Sequence, residues 1–167
     1  MGYGIISVKN KEMKSIILDS ISLKKLSTHE LKLKKIFEEV LKLIDDYQPD
    51  EVAIEAPFFG KNVQSMLKLG RAQGVAMSAA LYRNIPIFEY SPKKIKKSIT
   101  GNGNASKEQV AQMLKSLLKI DTIPKDLDAT DGLAAALCHI YQEANLGEKK
   151  RYGSWSSFLK DNPNKIK

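Results

Sequence analysis

Apolar residues recur at Leu33, Ile36, Phe37, Val40, Leu41 and Ile44, steps of three and four that predict an amphipathic helix. The capping segment Ser27-Thr28-His29-Glu30 opens it and Pro49-Asp50 closes it. Upstream, Tyr3 to Val8 and Lys14 to Ser22 flank the turn Lys9-Asn10-Lys11, a β-hairpin pattern. Asp50 to Glu55 predicts a short strand buried on both faces by Val52-Ala53-Ile54, with Glu55 at its carboxyl end. A second long helix is expected from Asn62 to Arg83. A mid-helix glycine costs about 1 kcal/mol relative to alanine, so Gly70 and Gly74 imply close approach to another helix or a second subunit. Ile85 to Tyr90 reads as the next strand, and Ser91-Pro92 opens a short basic helix in cap-then-proline order. Thr100 to Ala105 is a loop, Ser106 caps a helix through about Leu118, and Asp128 to about Ala144 forms the last long helix. The order is mixed α/β, parallel strands joined by helices after an antiparallel start. Residues 1–144 make one domain, and 145–167 form a polar, basic tail carrying Tyr152, Trp155 and Phe158.

Composition narrows the partners. The 167 residues carry 27 Lys+Arg against 19 Asp+Glu, a formal charge of +8 that favours a polyanion. No apolar stretch approaches the roughly 20 residues of a spanning helix, and Met1-Gly2-Tyr3-Gly4 lacks the form of a signal peptide, so a cytoplasmic, non-membrane protein is expected. The lone Cys138, in an alanine-rich stretch, reads as a small buried apolar residue.

Against that basic background three acids stand out. Glu55 ends a strand, while Asp128 and Asp131, spaced i, i+3, share one face of a helix's first turn, where the helix dipole favours anions. Each has an ordinary reading, Glu55 as a solvated loop residue and the aspartates as capping residues. Their conjunction, with lysine-rich elements between, points to carboxylates gathered around a divalent cation. The run Lys93, Lys94, Lys96 and Lys97, with Lys107 beyond it, is an ordinary solvated face or a phosphate-binding surface. His139, two turns beyond Asp131, reads as structural and directed away from the acids.

The segments Tyr3-Gly4-Ile5-Ile6, Ala53-Ile54-Glu55, Phe58-Phe59-Gly60-Lys61-Asn62, Leu67 to Gly74, Phe88-Glu89-Tyr90 and Asp128 to Ala134 together resemble the RuvC-type Holliday-junction resolvases, in order from Met1 to about Tyr141. The resemblance implies a ribonuclease H-like fold, a homodimer, and Mg²⁺- or Mn²⁺-dependent cutting of four-way DNA junctions, with two ions per active site. It implies metal-binding, catalytic roles for Glu55, Asp128 and Asp131. Phe58 would stack on a base near the crossover, Lys96 and Lys107 would contact phosphates, and Asn62 and Arg71 are weaker candidates for DNA contact. A branch-migration helicase is the further partner implied. The family's first, central strand and its Asp-Pro-Gly motif, carrying a fourth acid, precede the segment at which this sequence opens. That leads to the expectation of an upstream start, and of a gap between the neighbouring strands in the chain as given, with weakened metal binding.

Two other readings remain. One is a dimer that binds junctions without cutting them. The other is a small-molecule phosphotransferase of the same broad fold, which wants glycine-rich phosphate loops stronger than Gly101-Asn102-Gly103.

Overall fold

The computed structural model describes residues 1–10, 12–57, 62–124 and 127–148. A hairpin of β1 (Gly2–Lys9) and β2 (Glu12–Ser20) pairs antiparallel, with a bulge between Ile5 and Ile6. Helix α1 (His29–Tyr47) follows, then β3 (Val52–Glu55), α2 (Val63–Tyr82) and β4 (Ile87–Tyr90). Helices α3 (Pro92–Thr100), α4 (Lys107–Leu117) and α5 (Asp128–Glu148) complete the described chain. The last helix runs past the expected end at Ala144.

The local signals behave as their chemistry requires. Ser91 caps α3 with Pro92 in its first turn, and Gly101 ends it in the left-handed region at φ 76°. Ser106 and Gln109 close a reciprocal capping box on α4. On α1 the cap is Thr28, whose hydroxyl accepts from Leu31 N, rather than Ser27.

The strands form two separate two-stranded sheets. β1 pairs only with β2, and β3 pairs parallel with β4 from Val52 against Ile87 to Glu55 against Tyr90. Among the described residues no ladder joins the two. Both sheets are instead held by α5, whose Leu133, Leu137 and Cys138 are fully enclosed. β3 is half-buried rather than buried on both faces, because it has one partner strand only.

Glycine lets β1 and α5 meet backbone to backbone. A Cβ on Gly132 would stand 2.5 Å from the Tyr3 Cα, and one on Gly4 would stand 2.7 Å from the Leu133 side chain. Gly70 and Gly74, the glycines expected to mark a close approach, face open space, where an added Cβ would meet nothing within 4 Å. The second core cluster, Ile44, Ala80 and Ile85, joins α1 to α2, and the Arg83 guanidinium donates twice to Asp45 at 2.8 Å. Among the described residues no helix is long and apolar enough to cross a membrane.

Candidate metal and nucleic-acid site

Alternation along β3 turns Glu51, Ala53 and Glu55 to one side, and along β4 it turns Phe88 and Tyr90 the same way, toward α5. Val52 and Ile87 turn oppositely, into the cluster shared with α1 and α2. Glu55 is thereby brought to the start of α5, where Asp128 and Asp131 occupy the first turn.

Lys107, the first residue of α4, reaches across to both aspartates. Its ammonium donates to Asp131 Oδ2 at 2.8 Å and to Asp128 Oδ1 at 3.2 Å. Hydrogen bonding to Asp131 is the leading reason that its pKa is raised. Glu55 is affected in the opposite chemical sense. Burial of its carboxyl, then the negative charge of Asp131, push its pKa up, and Lys107 and Lys96 pull it partway back. Part of the Glu55 residue still reaches solvent, so the environment is crowded rather than sealed.

The three acids therefore form one electrostatic neighbourhood, but not one ready-made cage. Among the described residues no group of three acid, histidine or cysteine side chains is close enough to hold a single ion. What the neighbourhood does hold is a cation, the Lys107 ammonium, between two carboxylates with a third alongside. Oxygen-only donors that already draw a positive charge fit a hard divalent ion.

The remaining sequence candidates separate. Lys96 is half-buried on α3 and acts electrostatically on Glu55, which places it with the acids. Asn62 serves as the N-cap of α2, its Oδ1 accepting from Ser65 N at 3.0 Å. Arg71 lies exposed on α2, with its charge felt at Glu30 near the start of α1, away from the acids. Phe58 lies outside the described residues. Lys93, Lys94 and Lys97 line the solvent side of α3 while Ile95 and Ile99 are buried beneath.

One cluster escaped the sequence reading. His139 is 6% exposed; its Nε2 lies 2.7 Å from Glu51 Oε2 and its Nδ1 lies 2.7 Å from the Tyr90 hydroxyl. Phe88 stacks on the imidazole at 4.3 Å between ring centroids. The available signals were the Glu51-Ala53-Glu55 alternation and the eight-residue step from Asp131 to His139, which differs from a whole number of turns by less than a quarter.

Known proteins are similar to this chain over most of its length. The family model described as crossover junction endodeoxyribonuclease RuvC matches residues 1–139. The crossover junction endodeoxyribonuclease RuvC of Christiangramia forsetii is 62% identical over 167 residues, covering 100% of this chain and 87% of that protein. The protein of the same name from Bacteroides fragilis is 56% identical over 169 residues, covering 100% and 90%. Among solved structures, Thermus thermophilus RuvC superposes with TM-score 0.75 at 27% identity, covering 86% of this chain and 88% of that one. Thermus thermophilus RuvC in complex with Holliday junction substrate superposes at 0.78 with 28% identity, covering 86% and 87%.

Proposed function

The chain belongs to the crossover junction endodeoxyribonuclease RuvC family, with its ribonuclease H-like α/β fold, and from that membership we propose that it resolves four-way DNA junctions. It does so as a homodimer, by symmetric nicks that depend on Mg²⁺ or Mn²⁺, in the cytoplasm during recombination and repair and alongside a branch-migration helicase. The observation that carries the metal part is the Lys107 ammonium between Asp128 and Asp131 beside Glu55. Glu55, Asp128 and Asp131 are the residues assigned to hold the ions. A divalent ion held there supplies activation of a water and stabilisation of the leaving 3′ oxygen.

Lysines do the rest of the work. Lys107 exchanges its carboxylate partners for a DNA phosphate when the acids are engaged elsewhere, and Lys96 neutralises a second phosphate from α3. Specificity comes from junction shape, with Phe58 assigned the stacking contact at the crossover. Replacing Lys96 and Lys107 together lowers the slope of log K against log salt by about 1.8, at about 0.9 per phosphate. An unchanged slope assigns both to the surface.

Two nicks across a junction need two active sites related by a two-fold axis. On α2, Val63, Leu67, Gly70, Gly74, Ser78 and Leu81 follow one face, with Val63, Leu67 and Leu81 exposed at 63%, 49% and 58%. That face supports α2 as the dimer contact, the partner's backbone approaching along the glycines. The test of the whole reading is a synthetic four-way junction beside a linear duplex of the same sequence. Paired nicks in the junction alone, lost on chelation, are expected; a junction bound but uncut makes the protein a binder, and equal cutting of the duplex contradicts junction selectivity.

A further inference from the structure

Glu51, the residue just before β3, and Glu55 at its end face the same side, separated by four residues, or about 13 Å of extended chain. Asp131 and His139 are separated by eight residues on α5, or about 12 Å along the helix. The strand and the helix run antiparallel, with Asp131 near Glu55 and His139 bonded to Glu51. The two spacings match, so the Glu51–His139 hydrogen bond and the electrostatic pair of Glu55 and Asp131 are two rungs of one ladder. Between them stand Ala53 and Ala135, small residues of the same core cluster.

The rungs differ in how they are fastened. A carboxylate accepts only, so the Glu51 contact assigns the proton to Nε2 of His139 and leaves Nδ1 to accept from the Tyr90 hydroxyl. Tyr90 stands on β4, directly paired with Glu55 in the ladder. The imidazole therefore binds α5 to both strands of the sheet at once, with Phe88 fixing the ring plane. The acidic rung has no such self-sufficient bond, since like charges cannot hold each other in register. A slip of α5 by a single residue would move Asp131 by about 1.5 Å along the axis and turn it by about 100°.

From this geometry we infer that the chain Glu51–His139–Tyr90 is a positioning device, which sets the axial register of α5 on β3 and so the placement of Asp131 against Glu55. The inference rests on the proposed metal role of those acids. Glu51 is the member to alter first, because its side chain is 39% exposed and its removal leaves the core intact.

The test is Mn²⁺ binding followed by the spectroscopic signal of free Mn²⁺, with folding checked by circular dichroism. Glu51→Ala weakens Mn²⁺ binding about tenfold, the scale of losing an outer support of a metal ligand. Glu51→Gln, which still accepts from Nε2, stays within about twofold of the parent. Tyr90→Phe, which keeps the ring, weakens binding in the same direction as Glu51→Ala. Asp131→Asn is the control for the metal reading itself. Folded Glu51→Ala protein that binds Mn²⁺ like the parent, while Asp131→Asn does not, overturns the positioning role. Binding unaffected by Asp131→Asn overturns the metal assignment, and the positioning role falls with it.

Discussion

At the Glu55 end of the β3–α5 seam, three carboxylates share one electrostatic neighbourhood with the Lys107 ammonium between two of them; at the Glu51 end, one carboxylate, one imidazole and one phenol close a hydrogen-bonded chain. The same two elements carry both ends, and the Glu51 end is the more buried, with His139 and Tyr90 enclosed where Asp128 and Lys107 are exposed; burial alone does not set the balance of charge. Donor and acceptor counting does. The Glu51 end satisfies its polar atoms from within the protein, and it serves structure. The Glu55 end has more negative oxygens than donors, its carboxyl is pushed toward its neutral form, and it borrows Lys107 as counter-charge. A polar cluster that completes itself suits a scaffold, and one that stays short of positive charge suits the ion-binding role proposed for the Glu55 end.

The most forceful way to break the contrast is Asp131→Asn. It removes one acid of the functional end and is expected to reduce junction cleavage by about a hundredfold or more, measured as nicking rate at saturating Mg²⁺. Cleavage at the parent rate would make the two ends equivalent. Next in size is Gly132→Val, which drives a side chain into the Tyr3 backbone, 2.5 Å from the Cβ position, and lifts β1 away from α5. Urea denaturation should show a loss of about 3 kcal/mol, whereas Gly74→Ala, in open space, should not destabilise the monomer.

The smallest effect sharpens the comparison by its sign. Glu55 has a folded-state pKa above its ordinary 4.5, so the folded protein keeps that proton to higher pH than the unfolded chain does. Stability from this group is therefore greatest below about pH 4.5 and declines as pH rises through the raised value. Glu55→Gln removes that decline and should stabilise the metal-free protein at neutral pH by up to about 1 kcal/mol, read from the urea midpoint. A fall in stability would mean that Glu55 is structurally paired, like Glu51.

Much of this was legible in the residues. The periodicity of Leu33 to Ile44, the Ser91-Pro92 and Ser106 caps, and the strand ending in Glu55 are local patterns, and local chemistry produced them. Asp128 and Asp131 were visible as a pair for the same reason. Tertiary pairings were less accessible. Glu51 and His139 are 88 residues apart, and nothing in either local stretch announces the other. A glycine signals permission for close approach without naming the partner. Gly132 meets β1, while Gly70 and Gly74 face open space. Asn62 turned out to cap α2, a local role that a family likeness does not reveal.

If the acids at the Glu55 end hold a divalent cation in the place that Lys107 now fills, anomalous diffraction from crystals grown with Mn²⁺ will show it most directly. A peak is expected within about 2.5 Å of carboxylate oxygens of Glu55 and Asp131, with the Lys107 ammonium withdrawn from its 2.8 Å contact. Mn²⁺ found elsewhere, or Lys107 still bridging Asp128 and Asp131 at saturating metal, would contradict it.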